Sequence, residues 1–469
     1  MSDLKTDTVT QGDDEDLTAE DVVEGLSDED ISETLDALES EDFPDIEKTI
    51  QDLTPAEIAE LLAKIGEEER HMLLDRYGAT FDPLVFLEMD PELRRVCLER
   101  MAPEWVARIV SELETDDALD LILPLDEDLR REIIKKLSYK DRLALEEGFS
   151  FPEDSAGRLM QREFVAIPQF WTVGKTIDYL RAASEDLPDD FFDLFVVDPA
   201  HHVIGEIPLS RIIRARRSEK IDDLMLEETY PIPATMDQEE VAILFRREDL
   251  TSGPVVDEEG RLIGVITVDD IVDVITEEAQ EDFLKLGGVE QGDMYRAALT
   301  TSGYRFRWLF VNLLTAILAS VVISFFEATI EQLVALAVLM PIVASMGGNA
   351  GTQALTVAVR ALATRELSGA NAMRVVWKET LVGAINGSAF AVLTGLVAGL
   401  WFSDPMLGCV IGAAMVVNLV CAGTFGALIP ILLDKAGTDP AVSSSVFVTT
   451  VTDVVGFFAF LGLAAIFMI

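Results

Sequence analysis

Pro341-Ile342-Val343-Ala344-Ser345-Met346-Gly347-Gly348-Asn349-Ala350-Gly351-Thr352-Gln353 lies inside an apolar run from about residue 333 to 359. A run of that length is long enough to cross a bilayer as a helix. Within it, Gly347 and Gly351 form a GxxxG pair, which lets another helix approach closely, and one reading of the motif is packing alone. Asn349 and Gln353 are four residues apart and share a helix face. Packing accounts for the glycines but leaves those amides facing lipid, at a cost, unless they hydrogen-bond or line water.

Four further apolar segments flank this one, at about residues 308–326, 380–402, 406–433 and 444–469. Five spans put the two ends of the chain on opposite sides of the membrane. The basic residues of this half are Arg305 and Arg307, then Arg360, Arg365, Arg374 and Lys378, then Lys435. All of them fall on one side if the amino terminus is cytosolic, while the opposite loops carry Glu327, Glu331 and Asp404. The fifth span holds Asp453, with Thr449 four residues before it and Gly456 three after. A lone carboxyl at membrane depth faces a polar pathway or, in the alternative reading, stays protonated and bonds a neighbouring helix. Asn386 in the third span and Asn418 in the fourth read as interhelical glue, with no part in transport.

The rest of the chain has the opposite character. Of 85 acids and 36 bases, 77 acids and 29 bases precede residue 300, and the whole chain carries a formal charge of -49. Such a chain repels phosphate backbones, so nucleic acid is excluded as a partner. Mean hydropathy is nonetheless +0.26, because a soluble acidic half precedes a membrane half. No signal-peptide core opens the sequence, so the acidic half is expected in the cytosol. Cys97, Cys409 and Cys421 match no disulfide framework or zinc spacing. The surplus of acids over 11 lysines is also what solubility in high salt would favour.

Residues 1–40 read as an acidic disordered tail with helix tendency near Ile31–Leu38. Residues 41–150 read as a helical domain built from short helices. Thr54-Pro55-Ala56-Glu57 combines an N-cap, a first-turn proline and a capping-box glutamate, and Asp90-Pro91-Glu92 is a similar start. Helices this short cannot bury a face alone, which predicts a stacked solenoid. From Asp154 a β-helix-β-β order occurs twice, over 151–220 and 221–277. The first copy has apolar runs at 164–168, 191–198 and 203–208 around a helix near 173–183; the second has them at 230–233, 253–257 and 262–267 around a helix near 238–248. Leu159-Met160 opens one copy and Leu224-Met225 the other.

This layout, with Gly264-Val265-Ile266-Thr267-Val268-Asp269-Asp270, resembles a tandem CBS pair, a module that often binds adenine nucleotides. The resemblance implies Thr267 and Asp270 as a ribose-holding pair and ATP as a possible ligand; the first copy reads Leu209-Ser210-Arg211 instead, and a purely structural pair stands as the alternative. A connecting helix over 278–302 then leads to a membrane domain over 303–469. The expected fold class is thus a multidomain membrane protein: α-helical solenoid, α+β tandem CBS pair, connecting helix and five-helix transmembrane domain.

An acidic helical domain, a CBS pair, a connecting helix and five spans with Pro341...Gly347-Gly348-Asn349-Ala350-Gly351-Thr352-Gln353 together resemble the MgtE family of magnesium channels over nearly the whole chain. The resemblance implies a homodimer in the cytoplasmic membrane, with a cytosolic N-terminal half and the C-terminus outside. Its second and fifth spans would line one pore, Asp453 holding the ion and Gly348, Asn349, Gln353 and Thr449 lining the path. It also implies regulatory Mg²⁺ bound by Asp249, Asp270, Asp273, Glu278, Glu281 and Asp282, with Asp116, Asp120 and Glu239 as further candidates. Solvated surface is the competing reading of each of these acids. Mg²⁺ releases its waters reluctantly and binds through one or two carboxylates while hydrated, which suits a pair of Asp453 side chains. With no nucleophile-base pair or phosphate loop in the sequence, no enzyme is expected. The competing functions are a membrane-anchored nucleotide sensor and a carrier of Co²⁺ or Mn²⁺.

Overall fold

The computed structural model describes residues 25–40, 43–183, 187–188, 191–226, 228–289, 292–367 and 369–469. The chain forms two compact units, residues 1–276 and 277–469. Most of the acidic tail, residues 1–24, lies outside the described residues. Its end does not: residues 28–39, expected within a disordered tail, form the helix Asp28–Glu39. Ile31, Thr34, Ala37 and Leu38 are buried, and Glu60 accepts a hydrogen bond from the Leu26 amide at 2.8 Å. A short apolar stripe was enough to order this segment once other helices offered it a surface.

The helical domain follows its start signals. The Thr54 amide donates to Glu57 Oε2 at 2.7 Å while the Glu57 amide donates to Thr54 Oγ1 at 3.3 Å, the reciprocal bonds of a capping box. Asp90 Oδ1 accepts from the amides of Glu92 and Leu93 at 2.9 and 3.3 Å. The helices from Pro55 to Arg100 bury Leu61, Leu62, Leu73, Phe86, Leu93 and Leu98.

Two three-stranded sheets follow. The first runs β1 (Ala166–Pro168), β2 (Asp193–Val197), β3 (Val203–Pro208), and the second β4 (Ile232–Pro233), β5 (Ser252–Val256), β6 (Leu262–Thr267). In each, the outer pairing is parallel and the hairpin antiparallel. Both hairpins shift register at the same place, Val196/Val197 and Val255/Val256. Each copy completes the other. The segment after Leu159-Met160 pairs with β6, Gln161 with Val265 exchanging both backbone hydrogen bonds, and the segment after Leu224-Met225 pairs with β3, Glu206 with Leu226. Glycine is required at both crossings. A Cβ on Gly264 would sit 2.5 Å from Met160 Sδ, and one on Gly205 would sit 2.8 Å from Met225 Sδ.

One helix, Val268–Gly287, leaves β6 without a break. The connecting helix expected over 278–302 is therefore two pieces. Gly288 adopts φ +67°, a conformation that other residues rarely take, and ends the helix; a new one starts at Ala298 and runs into the first span. Among the described residues, five helices are long and apolar enough to cross a membrane: Ala298–Ser324, Ala335–Ala363, Ala372–Trp401, Pro405–Lys435 and, within Pro440–Phe467, Ser444–Phe467. The fourth packs against the second, third and fifth, and the second and fifth also pack on one another.

The crossed methionine-glycine contacts are testable. Gly264→Val places branched carbons against Met160 and the Gln161 carbonyl, so we expect a loss of about 1–3 kcal/mol, the usual cost of overpacking, seen as a lower melting temperature of the soluble half. An unchanged melt would show that the crossing has slack.

Candidate functional site

The second span is polar on one side and tightly packed on the other. Ser345, Asn349, Thr352, Gln353 and Thr356 are exposed, whereas Val343, Gly347, Gly351, Ala354 and Leu355 are buried. The Thr352 and Thr356 hydroxyls turn back onto the Gly348 and Thr352 carbonyls, at 3.0 and 2.9 Å. The glycines do what the packing reading requires: a Cβ on Gly351 would meet Val448 of the fifth span at 2.6 Å, and the Gly351 carbonyl lies 2.7 Å from where a Cβ on Gly426 would be. On the opposite face, the Asn349 and Gln353 side chains make no hydrogen bond to the described residues. The fifth span continues this polarity, with Thr449 exposed and Asp453 half-buried. Asp453 has neither ion pair nor hydrogen bond among the described residues. Asn418 bonds across helices as expected, but Asn386 is exposed and its side chain makes no hydrogen bond to the described residues.

In the soluble unit, the start of the helix Thr115–Ile122 meets the start of the connecting helix. Asp116 is 7% exposed and lies beside Asp270, with its Oδ1 buried and without a hydrogen-bond partner among the described residues. Asp270 Oδ2 also accepts from the Thr267 amide at 3.2 Å and the Thr267 hydroxyl at 2.8 Å. Burial, then the neighbouring Asp270, holds the Asp116 carboxyl well above the ordinary carboxylate range. Burial likewise pushes Asp270 and Asp117 up to about 6, and burial with the nearby Glu163 pushes Glu114 up to about 7. Asp273 is raised by burial and by Asp269 and Asp120. Arg94 supplies a counter-charge, its guanidinium 2.6 Å from Asp120. Of the regulatory candidates, Asp116, Asp120, Asp270 and Asp273 therefore come together. Glu239 and Asp249 do not share one site, since they stand at opposite ends of the helix Gln238–Glu248, a separation of about 15 Å at the helical rise.

In the membrane unit, the end of the connecting helix rests on the spans. Leu286 packs against Leu355, Val359 and Ala441. Lys285 Nζ lies 2.6 Å from Glu281 and 2.9 Å from Asp439. Asp439 in turn caps the fifth span, accepting from the Ala441 amide at 2.8 Å. Asp282 is raised by burial and by Asp439, and Glu278 stands one turn before it. Among the described residues no three carboxylate, imidazole or thiol groups converge tightly enough to hold a metal by themselves. A hydrated cation bridging carboxylates through its waters needs no such cage.

Residues 53–154 match the profile of the MgtE intracellular N domain, 221–277 that of the CBS domain, and 340–463 that of the MgtE divalent cation transporter. The magnesium transporter MgtE of Bacillus subtilis is 30% identical over 90% of this chain and 94% of its own length. That of Thermus thermophilus is 33% identical over 92% and 97%. This chain belongs to the MgtE family. A solved cytosolic domain of the Mg²⁺ channel MgtE in complex with ATP is 28% identical, covering 52% of this chain and 99% of that one, with a TM-score of 0.48.

Against this MgtE framework, sequence reasoning missed Glu114, Asp117, Asp269 and Glu163 in the acidic cluster, and Lys285 at the spans. The run Glu112-Leu113-Glu114-Thr115-Asp116-Asp117 is dense enough in acid to have flagged a helix start under charge strain, and Glu281-Lys285 is an i,i+4 pair. Glu163 carried no signal; it enters by accepting from Thr115, 48 residues away.

The sign of the pH dependence follows. Carboxyls raised on packing bind more protons in the packed state than when released, so this cluster favours packing fully below about pH 4, the ordinary carboxylate range, and that preference is lost as pH rises through about 6–7. In EDTA, protease cleavage between the helical domain and the CBS pair should increase from pH 5 to pH 8, and Asp116→Asn should flatten the profile. Parallel profiles for parent and variant would show that Asp116 does not carry the effect.

Proposed function

We propose that this protein is a Mg²⁺-permeable channel, assembled from two copies, that imports magnesium across the cytoplasmic membrane and closes when cytosolic Mg²⁺ binds its acidic soluble half. The observation that carries the reading is the side of the second and fifth spans where Asn349, Gln353 and Asp453 stand without partners among the described residues, beside an exposed Thr449 whose hydroxyl bonds only back onto the Ser445 carbonyl. In a bilayer that side requires water, an ion or a second copy. A two-fold arrangement supplies all three, with two Asp453 carboxylates holding a cation whose waters bond the Asn349 and Gln353 amides, the Thr449 hydroxyl and carbonyls near Gly348. Oxygen ligands without imidazole or thiolate favour a hard cation, and selection then rests on hydration and size. Co²⁺ and Mn²⁺ are secondary cargo to be measured against Mg²⁺.

A second copy is also favoured by the connecting helix, where Val268, Val272, Ile275 and Phe283 form an exposed apolar stripe at helical spacing. The cytosolic half and the external C-terminus follow from the basic loops. For gating, carboxyls that resist ionisation when packed repel one another once charged, and a divalent cation relieves that repulsion, so bound Mg²⁺ favours the packed state. Asp116, Asp120, Asp270 and Asp273 form that sensor, with Glu278, Glu281 and Asp282 farther along the same helix and Asp249 and Glu239 as peripheral ligands. Asp270 is the residue that the ribose reading also claims. With its carboxyl taken by Thr267 and Asp116, ATP at the CBS pair would compete with that contact.

Purified protein in liposomes tests this. Asp453→Ala should remove more than about nine-tenths of Mg²⁺ flux, since Asp453 is the acid that stands deep within an apolar run beside the polar side of the second span, with dimer and melting temperature retained. Asn349→Ala, which removes a water-shell contact but no charge, should reduce flux by a few-fold at about that scale. Parental flux in Asp453→Ala defeats the pore reading. Replacing Asp270, Asp273, Glu278, Glu281 and Asp282 together by Asn or Gln should leave the channel conducting at cytosolic-side Mg²⁺ that closes the parent, and an unshifted inhibition curve would sink the sensor.

A further inference from the structure

Asn418 of the fourth span is fully buried, with 0% of its surface exposed. Its carboxamide lies between the second and fifth spans. Nδ2 donates to the Val343 carbonyl of the second span at 2.8 Å. A Cβ on Gly347 would stand 2.3 Å from that nitrogen, and a Cβ on Gly456 of the fifth span 2.7 Å from it. Two glycines on two helices thus make one slot, and the amide fills it. Oδ1 is buried and has no hydrogen-bond partner among the described residues.

An apolar side chain would fill that slot at lower cost, because a buried acceptor without a partner in a membrane interior is unfavourable. The amide therefore serves something other than stability alone. Gly347 directly precedes Gly348-Asn349, and Gly456 follows Asp453 by three residues. The slot is thus the packed back of the second span, opposite Asn349, and on the fifth span it lies one turn from Asp453 along the same side. A peg bonded to one of them and seated against both fixes their register and spacing, and with these the position of Asn349 relative to Asp453.

We propose that Asn418 is a positioning residue for permeation, holding the second and fifth spans in the register that presents Asn349 and Asp453 to the same ion. This rests on the pore reading above, and the experiment separates the two. Full-length protein with Asn418→Leu, which fills the slot without a donor, Asn418→Thr, which keeps a donor, and the pair Asn418→Ala with Gly456→Ala, which returns volume without a hydrogen bond, is reconstituted beside Asp453→Ala. Mg²⁺ and Ca²⁺ uptake are measured with the melting temperature of each dimer in detergent.

We expect Asn418→Leu and the double variant to melt near the parent yet lose about tenfold in Mg²⁺ flux and in preference for Mg²⁺ over Ca²⁺, as loosening a preorganised site does, with Asn418→Thr retaining more of both. Parental flux and preference in Asn418→Leu would overturn the inference. If that variant fails to fold, Asn418→Thr and the double variant decide: recovery of stability, flux and preference together in the double variant would assign Asn418 to packing and overturn it. Parental flux in Asp453→Ala would instead defeat the pore reading itself, while a silent Asp453→Ala beside fully selective Asn418 variants would defeat only this inference.

Discussion

Polar groups in hydrocarbon must find partners, and the membrane unit is organised around how it meets that demand. Glycines at 347, 351, 426 and 456 remove side-chain bulk where the second, fourth and fifth spans meet, so these helices approach closely. The approach buries one side of the second span and leaves Ser345, Asn349, Gln353 and Thr356 on the other. The packing and permeation readings of Pro341–Gln353 describe opposite faces of the same helix. The first makes the second possible, because only a rigidly packed back holds a polar front in register.

The soluble unit answers a different demand, which is to bring like charges together without flying apart. Asp116 and Asp270 meet only because the helical domain and the CBS pair pack closely there, and burial raises both carboxyls above the ordinary carboxylate range. Arg94 on Asp120 offsets part of the charge. The remainder is like charge that, on the proposed reading, a bound cation would relieve. At the other end of the same continuous helix, Lys285 joins Glu281 to Asp439, the cap of the span that bears Asp453. That end is held by a lysine of the chain itself.

Local signals made much of this legible. The caps at Thr54 and Asp90, the twice-repeated strand-helix order, the five apolar runs and the one-sided arginines and lysines are properties of neighbours in sequence, and helices and strands formed where they pointed. Where local reading went astray, a tertiary surface intervened. Residues 28–39, read as part of an acidic tail with only helix tendency, order by packing on the helix Phe43–Asp52, while Leu26 just before them bonds Glu60 and Lys64. In the connecting segment, by contrast, Gly287-Gly288 marks an interruption in the sequence, and Gly288 ends the helix there with a left-handed turn.

Composition and periodicity by themselves determined the division into an acidic half and a membrane half, the number of spans, their charge asymmetry, the tandem repeat and the polar residues at membrane depth. Only tertiary structure decided which groups meet: Gly264 with Met160, Asp116 with Asp270, Glu163 with Thr115, Lys285 with Asp439 and Asn418 with two glycines on two other helices. The physical reason is range. Backbone propensity and amphipathic period are set within a few residues, whereas these contacts join positions up to 154 residues apart, as in Asp116–Asp270 and Lys285–Asp439. Such contacts are selected by the shape and charge of packed surfaces that exist only after folding.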